Sequence, residues 1–324
     1  MSRRDLEEVL DFPSVIETLE GAFRAEEAGQ WDTPKRIVAR TKAGGLLAMP
    51  CAGGSPEALG AKLVSTFSGN TALGQASVAG LYALFDPGNG APLAVMDGSY
   101  LTLVRTAAVS ALATSLLSRP DARTLGVMGA GAQAHFHVRL IATVRPIETV
   151  VIWARRPERA ASLSASLRAR DDLRGVSVVR VAEAPSEAGA CDVVVTATGA
   201  TEPVLLGRWV REGSHLNPIG AHTKDSREID TEAVARASRL VVETADTLLE
   251  AGDFQLAEAE VSGVTRRVVT LGALLDRGPE ASRDPRAITV FKSCGVAFED
   301  LSVAAMAFQR ARETGLGGRF PFHL

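Results

Sequence analysis

The chain has 324 residues, 46% hydrophobic and 23% charged, with a formal charge of −3 from 35 basic and 38 acidic side chains. That length suits two domains of roughly 150 residues, and the near balance of charge gives no reason to expect a nucleic acid or a membrane surface as partner. The three cysteines, Cys51, Cys191 and Cys294, form no CxxC pair and no metal-ligand spacing, which fits a reducing, cytoplasmic compartment. Met1–Leu10 is charged throughout and lacks an apolar signal core. Gly, Pro or charge is expected to break the apolar stretches before the roughly 18 residues that a membrane helix needs.

The first element is an amphipathic helix over Glu7–Ala28, with Val15, Leu19, Ala22 and Phe23 at helical spacing. A short extended run, Pro34–Val38, follows. Leu46–Met49, Ala61–Thr66, Ser77–Phe85 and Pro92–Asp97 read as strands between glycine and proline turns. The first third is therefore a helix followed by a largely antiparallel sheet. Leu101–Leu117 is a long Ala-rich helix stopped at Arg119-Pro120. From there strand and helix alternate. The strands are Thr124–Met128, Thr149–Trp153, Val176–Val181, Asp192–Thr196, His215–Ile219, Arg239–Glu243 and Ala287–Phe291. Such alternation predicts a parallel, doubly wound sheet. A last helix runs to about Glu313, with Val303, Met306 and Ala307 on its apolar side.

Gly129-Ala130-Gly131-Ala132-Gln133-Ala134 fits G-x-G-x-x-A, follows the strand Leu125–Met128 and opens the helix Gln133–Thr143. In that context Gly129 allows a tight turn and Gly131 lets the backbone approach a pyrophosphate. Ala134 keeps helix and strand close, and the helix N-terminus faces the phosphates. The next strand, Thr149–Trp153, ends in Ala154-Arg155-Arg156-Pro157. Folds that prefer NAD place an acid there for the ribose hydroxyls, whereas arginine suits a 2′-phosphate. NADP(H) is therefore favoured, with NAD(H) as the alternative, and a solvated helix start is the plain reading of the two arginines. Arg105 stands in an apolar helix between Val104 and Ala107, where an unpaired charge is costly, so it requires a ligand or an ion-pair partner. His135 and His137 are about 200° apart around a helix and do not grip one metal, so no metal site is expected. There is no HExxH, Walker loop or GxSxG.

Several segments together resemble the ornithine cyclodeaminase/mu-crystallin family over roughly Pro34–Leu301. They are Leu46–Pro50, Ala61–Val64, Leu81–Pro87, Asp97–Ala113 (DGSYLTLVRTAAVSALA), the glycine loop, His215–Asp230 (HLNPIGAHTKDSREID) and Phe291–Leu301 (FKSCGVAFEDL). The resemblance implies a homodimer of two-domain chains. Residues 115–299 would form a Rossmann domain for the nicotinamide cofactor. Residues 1–114, joined by a C-terminal helical segment 300–324, would form an α+β domain for substrate and dimerisation. Carried over residue by residue, Arg36, Lys62 and Arg105 match substrate-carboxylate and catalytic positions, and Met49 lies in the same substrate set. Ser77 matches a threonine that contacts substrate or cofactor. Thr106, Thr196, Ala197, Thr198, Ile219 and Ser293 join the loop residues Gly129, Gly131, Ala132 and Gln133, and Ala154, Arg155 and Arg156, as cofactor contacts. The residue types suit these roles, since guanidinium binds a carboxylate bidentately and a lysine whose pKa is lowered by neighbouring arginines transfers protons.

One position departs from the family. Where the cyclodeaminases carry an aspartate after the Gly-Ala pair, His222 follows Gly220-Ala221, and Asp225 stands further on. A histidine does not pair with a substrate ammonium as a carboxylate does. It could donate a proton to an imine or cap the loop. The reading is an NAD(P)-dependent oxidoreductase that reduces a small cyclic ketimine carboxylate or interconverts an α-amino and an α-imino acid by hydride transfer. Lys62, Arg105 and His222 are its candidate catalytic groups. The rival readings are an amino-acid cyclodeaminase with recycled NAD and a non-catalytic small-ligand binder.

Overall fold

The computed structural model describes residues 1–278 and 284–319, apart from the side chains of Ser68, Thr71 and Ala72. Residues 320–324 of the expected C-terminal segment lie outside the described residues. The chain divides into two units: Met1–Arg105 together with the segment from Val296 onward, and Thr106–Gly295. The division falls inside a helix rather than at its end.

The expected helix Glu7–Ala28 is two helices, α1 (Arg3–Val9) and α2 (Phe12–Glu27). The break has a local cause. Asp11 caps α2 by accepting the Ser14 N–H at 3.0 Å, and proline occupies the first turn, where its missing N–H costs nothing. The apolar stripe Val15, Leu19, Ala22 and Phe23 is buried as read. Six antiparallel strands follow: β1 (Trp31–Asp32), β2 (Ile37–Arg40), β3 (Gly45–Gly53), β4 (Ala58–Thr66), β5 (Val78–Phe85) and β6 (Pro92–Asp97). Their order is β1-β3-β4-β5-β6, with β2 paired to β3. β3 runs past the predicted stop at Met49, since Pro50 withholds only one donor and still stands opposite Ala61. Helix α3 (Gly98–Leu117) comes next. Contrary to the sequence reading, it is long and apolar enough by length and composition to cross a membrane, but 78% of its most apolar window is buried in the protein.

The second unit is an eight-stranded parallel sheet wound with helices. In chain order it contains β7 (Thr124–Met128), α4 (Ala132–Val144), β8 (Thr149–Trp153), α5 (Pro157–Arg168), β9 (Val178–Val181) and α6 (Pro185–Gly189). It continues with β10 (Val193–Thr196), β11 (His215–Pro218), α7 (Thr231–Arg236), β12 (Arg239–Val242), α8 (Ala245–Glu250) and α9 (Gly252–Glu260). It closes with β13 (Val268–Thr270), α10 (Leu271–Arg277) and β14 (Thr289–Lys292). The order β13-β12-β14-β11-β10-β7-β8-β9 reverses between β7 and β10. Ligands of such sheets bind beyond the carboxyl ends of the strands at that reversal. Strand residues such as Val127, Val151, Val194, Leu216, Leu240 and Val290 are buried, as a sheet covered on both faces requires. The strands β1 and β13 were too short to leave a periodic signal. The last helix, α11 (Ala297–Thr314), belongs with the first unit. It packs on α2 and on β3, β4 and β5.

Candidate functional site: a buried charge cluster and a glycine cradle

In the first unit, β4 alternates buried and half-buried side chains, and Lys62 falls on the buried face between Gly60 and Val64. It pairs in register with Met49 on β3 and Tyr82 on β5, both buried. Helix α11 lies over this face. Phe298 anchors the start of α11 against Phe23, edge to face at 5.0 Å, and against Trp31, stacked at 5.8 Å. Its first turn carries Glu299 and Asp300, where acids are favoured by the helix dipole. Asp300 Oδ2 accepts from Lys62 Nζ at 2.6 Å, and its Oδ1 accepts from Arg105 Nε at 3.1 Å. Arg105 Nη1 donates to Glu299 Oε2 at 2.6 Å. All four charged groups are buried.

Burial draws the Lys62 pKa below the ordinary lysine value; Asp300 opposes that shift, Arg105 adds to it and Glu299 opposes it. Sequence reasoning foresaw the direction but assigned it to arginine rather than to burial. It matched both cations to substrate-carboxylate and catalytic positions and required of Arg105 a ligand or an ion-pair partner; in this structure the two cations share Asp300. Neither acid was singled out. The argument applied to Arg105 finds them as well, since Glu299-Asp300 sits between the core residues Phe298 and Leu301 and also demands countercharge. The Tyr82 hydroxyl beside this cluster is buried without a hydrogen-bond partner among the described residues, and burial raises its pKa. Arg36 is half-buried one residue before β2, which brings it to the level of Met49 on β3. Ser77 is not gathered in. It lies five residues before Tyr82, roughly 16 Å away along an extended strand.

In the second unit, Gly129 has φ +114, and a Cβ there would stand 2.3 Å from the Ala197 carbonyl oxygen, so only glycine serves the turn after β7. Gly131 caps α4 without any side-chain cap bond, and the space where its Cβ would point is open. Ala132 is exposed, Gln133 is half-buried and Ala134 is fully buried. A helix start that no side chain caps, beside an open backbone, makes a cradle that fits a pyrophosphate. Thr196, Ala197 and Thr198 leave β10 next to this turn, with Ala197 N donating to the Met128 carbonyl at 2.8 Å. Ile219 N likewise reaches the Thr196 carbonyl at 2.9 Å. Ala154 is half-buried at the end of β8, and Arg155 and Arg156 are exposed beyond it. Thr106, the first residue of this unit, is buried in α3.

One carried-over residue, Ser293, has a partner that sequence did not suggest, and His222 makes a contact that sequence allowed. The Ser293 hydroxyl donates to Glu243, just after β12, at 2.6 Å, and that buried carboxylate also takes the N–H groups of Cys294 and Gly295, so the loop after β14 is tied to the end of β12. His222 is exposed, with Nδ1 3.1 Å from the Gly220 carbonyl oxygen, the geometry of a loop cap.

A profile of the ornithine cyclodeaminase/mu-crystallin family matches residues 1–315. The chain belongs to this family. Among relatives, the ketimine reductase mu-crystallin of Mus musculus is 35% identical over 91% of this chain and 90% of its own. Among solved structures of similar fold is the Delta(1)-pyrroline-2-carboxylate reductase of Thermococcus litoralis, in complex with NADH and L-proline. It matches with a TM-score of 0.92 and 34% identity, covering 99% of both chains. An archaeal alanine dehydrogenase dimer with bound NAD matches with a TM-score of 0.90 and 29% identity, over 99% of this chain and 98% of its own. The family membership inferred from DGSYLTLVRTAAVSALA and the other segments is thus established, as is the mixed fold with a parallel nucleotide-binding sheet.

Proposed function

We propose that this chain is an NAD(P)H-dependent imine reductase that acts on a small cyclic ketimine carboxylate. The carrying observation is the buried Lys62–Asp300–Arg105 cluster in a member of this family: an ammonium kept dry next to a guanidinium is a proton source beside a carboxylate anchor. In this reading Arg105 and Arg36 bind the substrate carboxylate. Lys62 holds the proton delivered to the imine nitrogen, and Met49 lines the apolar side. Gly129, Gly131, Ala132 and Gln133 receive the pyrophosphate. The bound cofactor supplies the hydride. A panel of cyclic imines and α-amino acids, assayed with both cofactors, tests the reading. Net oxidation of NADPH or NADH on a ketimine carboxylate supports it. Ammonia release without net cofactor change would point to a cyclodeaminase, and binding without turnover to a ligand carrier.

The cofactor preferred in this proposal is NADP(H), supported by the exposed Arg155 and Arg156 where an acid would serve NAD. Arg155→Ala is expected to weaken NADPH binding by about tenfold to hundredfold, the scale of an arginine–phosphate contact of about 1.5–3 kcal/mol, and to leave NADH nearly unchanged. Titration of both nucleotides decides it, and tighter NADH binding in the unaltered protein would reject the preference. The proposal also includes a cytoplasmic location, for which the free cysteines speak, and a homodimer. The face of the antiparallel sheet opposite Lys62 exposes Ile37, Leu46, Leu81 and Val95, an apolar patch that a second copy would cover. Light scattering at micromolar concentration should give twice the 34.0 kDa of one chain, and a lone 34.0 kDa species would count against it.

A further inference from the structure

Glu228 lies in the loop after β11, fully buried, and its carboxylate takes four hydrogen bonds. Oε1 accepts the Thr198 N–H at 2.7 Å and the Thr198 hydroxyl at 2.6 Å. Oε2 accepts the Thr196 hydroxyl at 2.8 Å and the Gly220 N–H at 2.6 Å. One side chain therefore ties the carboxyl end of β10 to that of β11. The fit leaves no slack: a Cβ on Gly220 would stand 2.2 Å from the Thr198 carbonyl oxygen and 2.6 Å from Glu228 Oε1. The backbone behind is fixed as well. Asp253 Oδ1 accepts the N–H groups of Glu228 and Ile229 at 2.7 and 3.0 Å, and Asp253 pairs with Lys292 at 2.9 Å. Lys292 in turn donates to the carbonyls of Pro218, at 3.0 Å, and Ala221.

A sheet whose strand order reverses once has two mononucleotide halves. Here the β7–β9 half carries the glycine turn and the arginine pair, and the β10–β11 half carries the loops that Glu228 joins. We propose that Glu228 is a positioning residue for the nicotinamide half of the cofactor: by fixing the spacing of Thr196–Thr198 and Ile219–Gly220 it sets affinity for that half without touching the adenosine half. This rests on the cofactor reading above.

Glutamine cannot replace this glutamate. Each carboxylate oxygen faces one hydroxyl, which can turn round, and one backbone N–H, which cannot. In either orientation the amide NH₂ of glutamine meets a backbone donor, at Thr198 or at Gly220, and one loop is released. The test is calorimetric titration of NADPH and of 2′-phospho-ADP-ribose, which lacks nicotinamide, into the unaltered protein and Glu228→Gln. NADPH should weaken about tenfold, with 2′-phospho-ADP-ribose within about twofold. Thr196→Val, which removes one hydroxyl and leaves the backbone donors satisfied, should weaken NADPH by about threefold to tenfold with the same selectivity, and covers the case in which the glutamine variant fails to fold. Unchanged NADPH affinity in Thr196→Val, or equal weakening of both ligands in either folded variant, overturns the proposal. Failure of the unaltered protein to bind any dinucleotide would instead overturn the cofactor reading beneath it.

Discussion

Lys62→Met lowers the rate of imine reduction about 10²–10⁴-fold, the usual scale for losing a general acid. Methionine keeps most of the length and apolar bulk of the stem while removing the proton. NADPH affinity should barely change, because the pyrophosphate cradle at Gly129–Gln133 and the arginines after β8 belong to the other unit. The pH profile carries the sharper signature. As an acid Lys62 acts only when protonated, so the rate falls as pH rises through its pKa. Burial has drawn that pKa below the ordinary lysine value, with Asp300 and Glu299 opposing and Arg105 reinforcing; Tyr82 and Cys51, its neighbours on the adjoining strands, have raised pKa values and stay neutral. The alkaline loss of activity should therefore come earlier than for a solvated lysine. Steady-state kinetics across pH on the best ketimine tests both points. If Lys62→Met kept near-normal kcat, the lysine would be a bystander, and His222→Ala would be the next variant to measure.

Asp300→Leu should cost about 3–5 kcal/mol of folding stability, the range for removing one partner of a buried ion pair. Lys62 and Arg105 would be left with Glu299 alone, so a net positive charge would remain in the core. The double variant Lys62→Met/Asp300→Leu restores the balance, because Arg105 keeps Glu299, and it should recover much of the loss. Urea unfolding of the two singles and the double closes the cycle. A cost under about 1 kcal/mol for Asp300→Leu would mean that water reaches this cluster and that the pairs are weak.

The strands were legible where apolar runs met clear turns. Pro92–Asp97, Thr124–Met128 and Thr149–Trp153 have the bounds read from sequence. Legibility failed where one local interaction outweighs periodicity. The first helix carries an unbroken apolar stripe on its second part, yet Asp11 and Pro13 restart it. Helix α3 was recognised from its alanines over Leu101–Leu117 and starts three residues earlier, at Gly98; the Arg105 charge inside it is satisfied by acids of α11. At the site, cations stood out through the family segments. Asp300 did not, since it comes 238 positions after the lysine it holds, and only packing of α11 on β4 brings the two together. Glu228 was hidden for a similar reason: Thr196 and Thr198 lie at the end of another strand and Gly220 at the far end of its own loop, and no spacing in the sequence records a hydrogen bond between them.

The four buried groups at Lys62 have one more consequence, which concerns selection among substrates. Two positive and two negative side chains make the cluster formally neutral. In the proposed reading Arg36 adds a cation outside that sum and meets the charge of one carboxylate, whether the double bond of the substrate is C=N or C=O. A second carboxylate would be an uncompensated negative charge in a dry place, where such a charge costs several kcal/mol. A preference for monocarboxylates then rests on net charge, with no shape difference required.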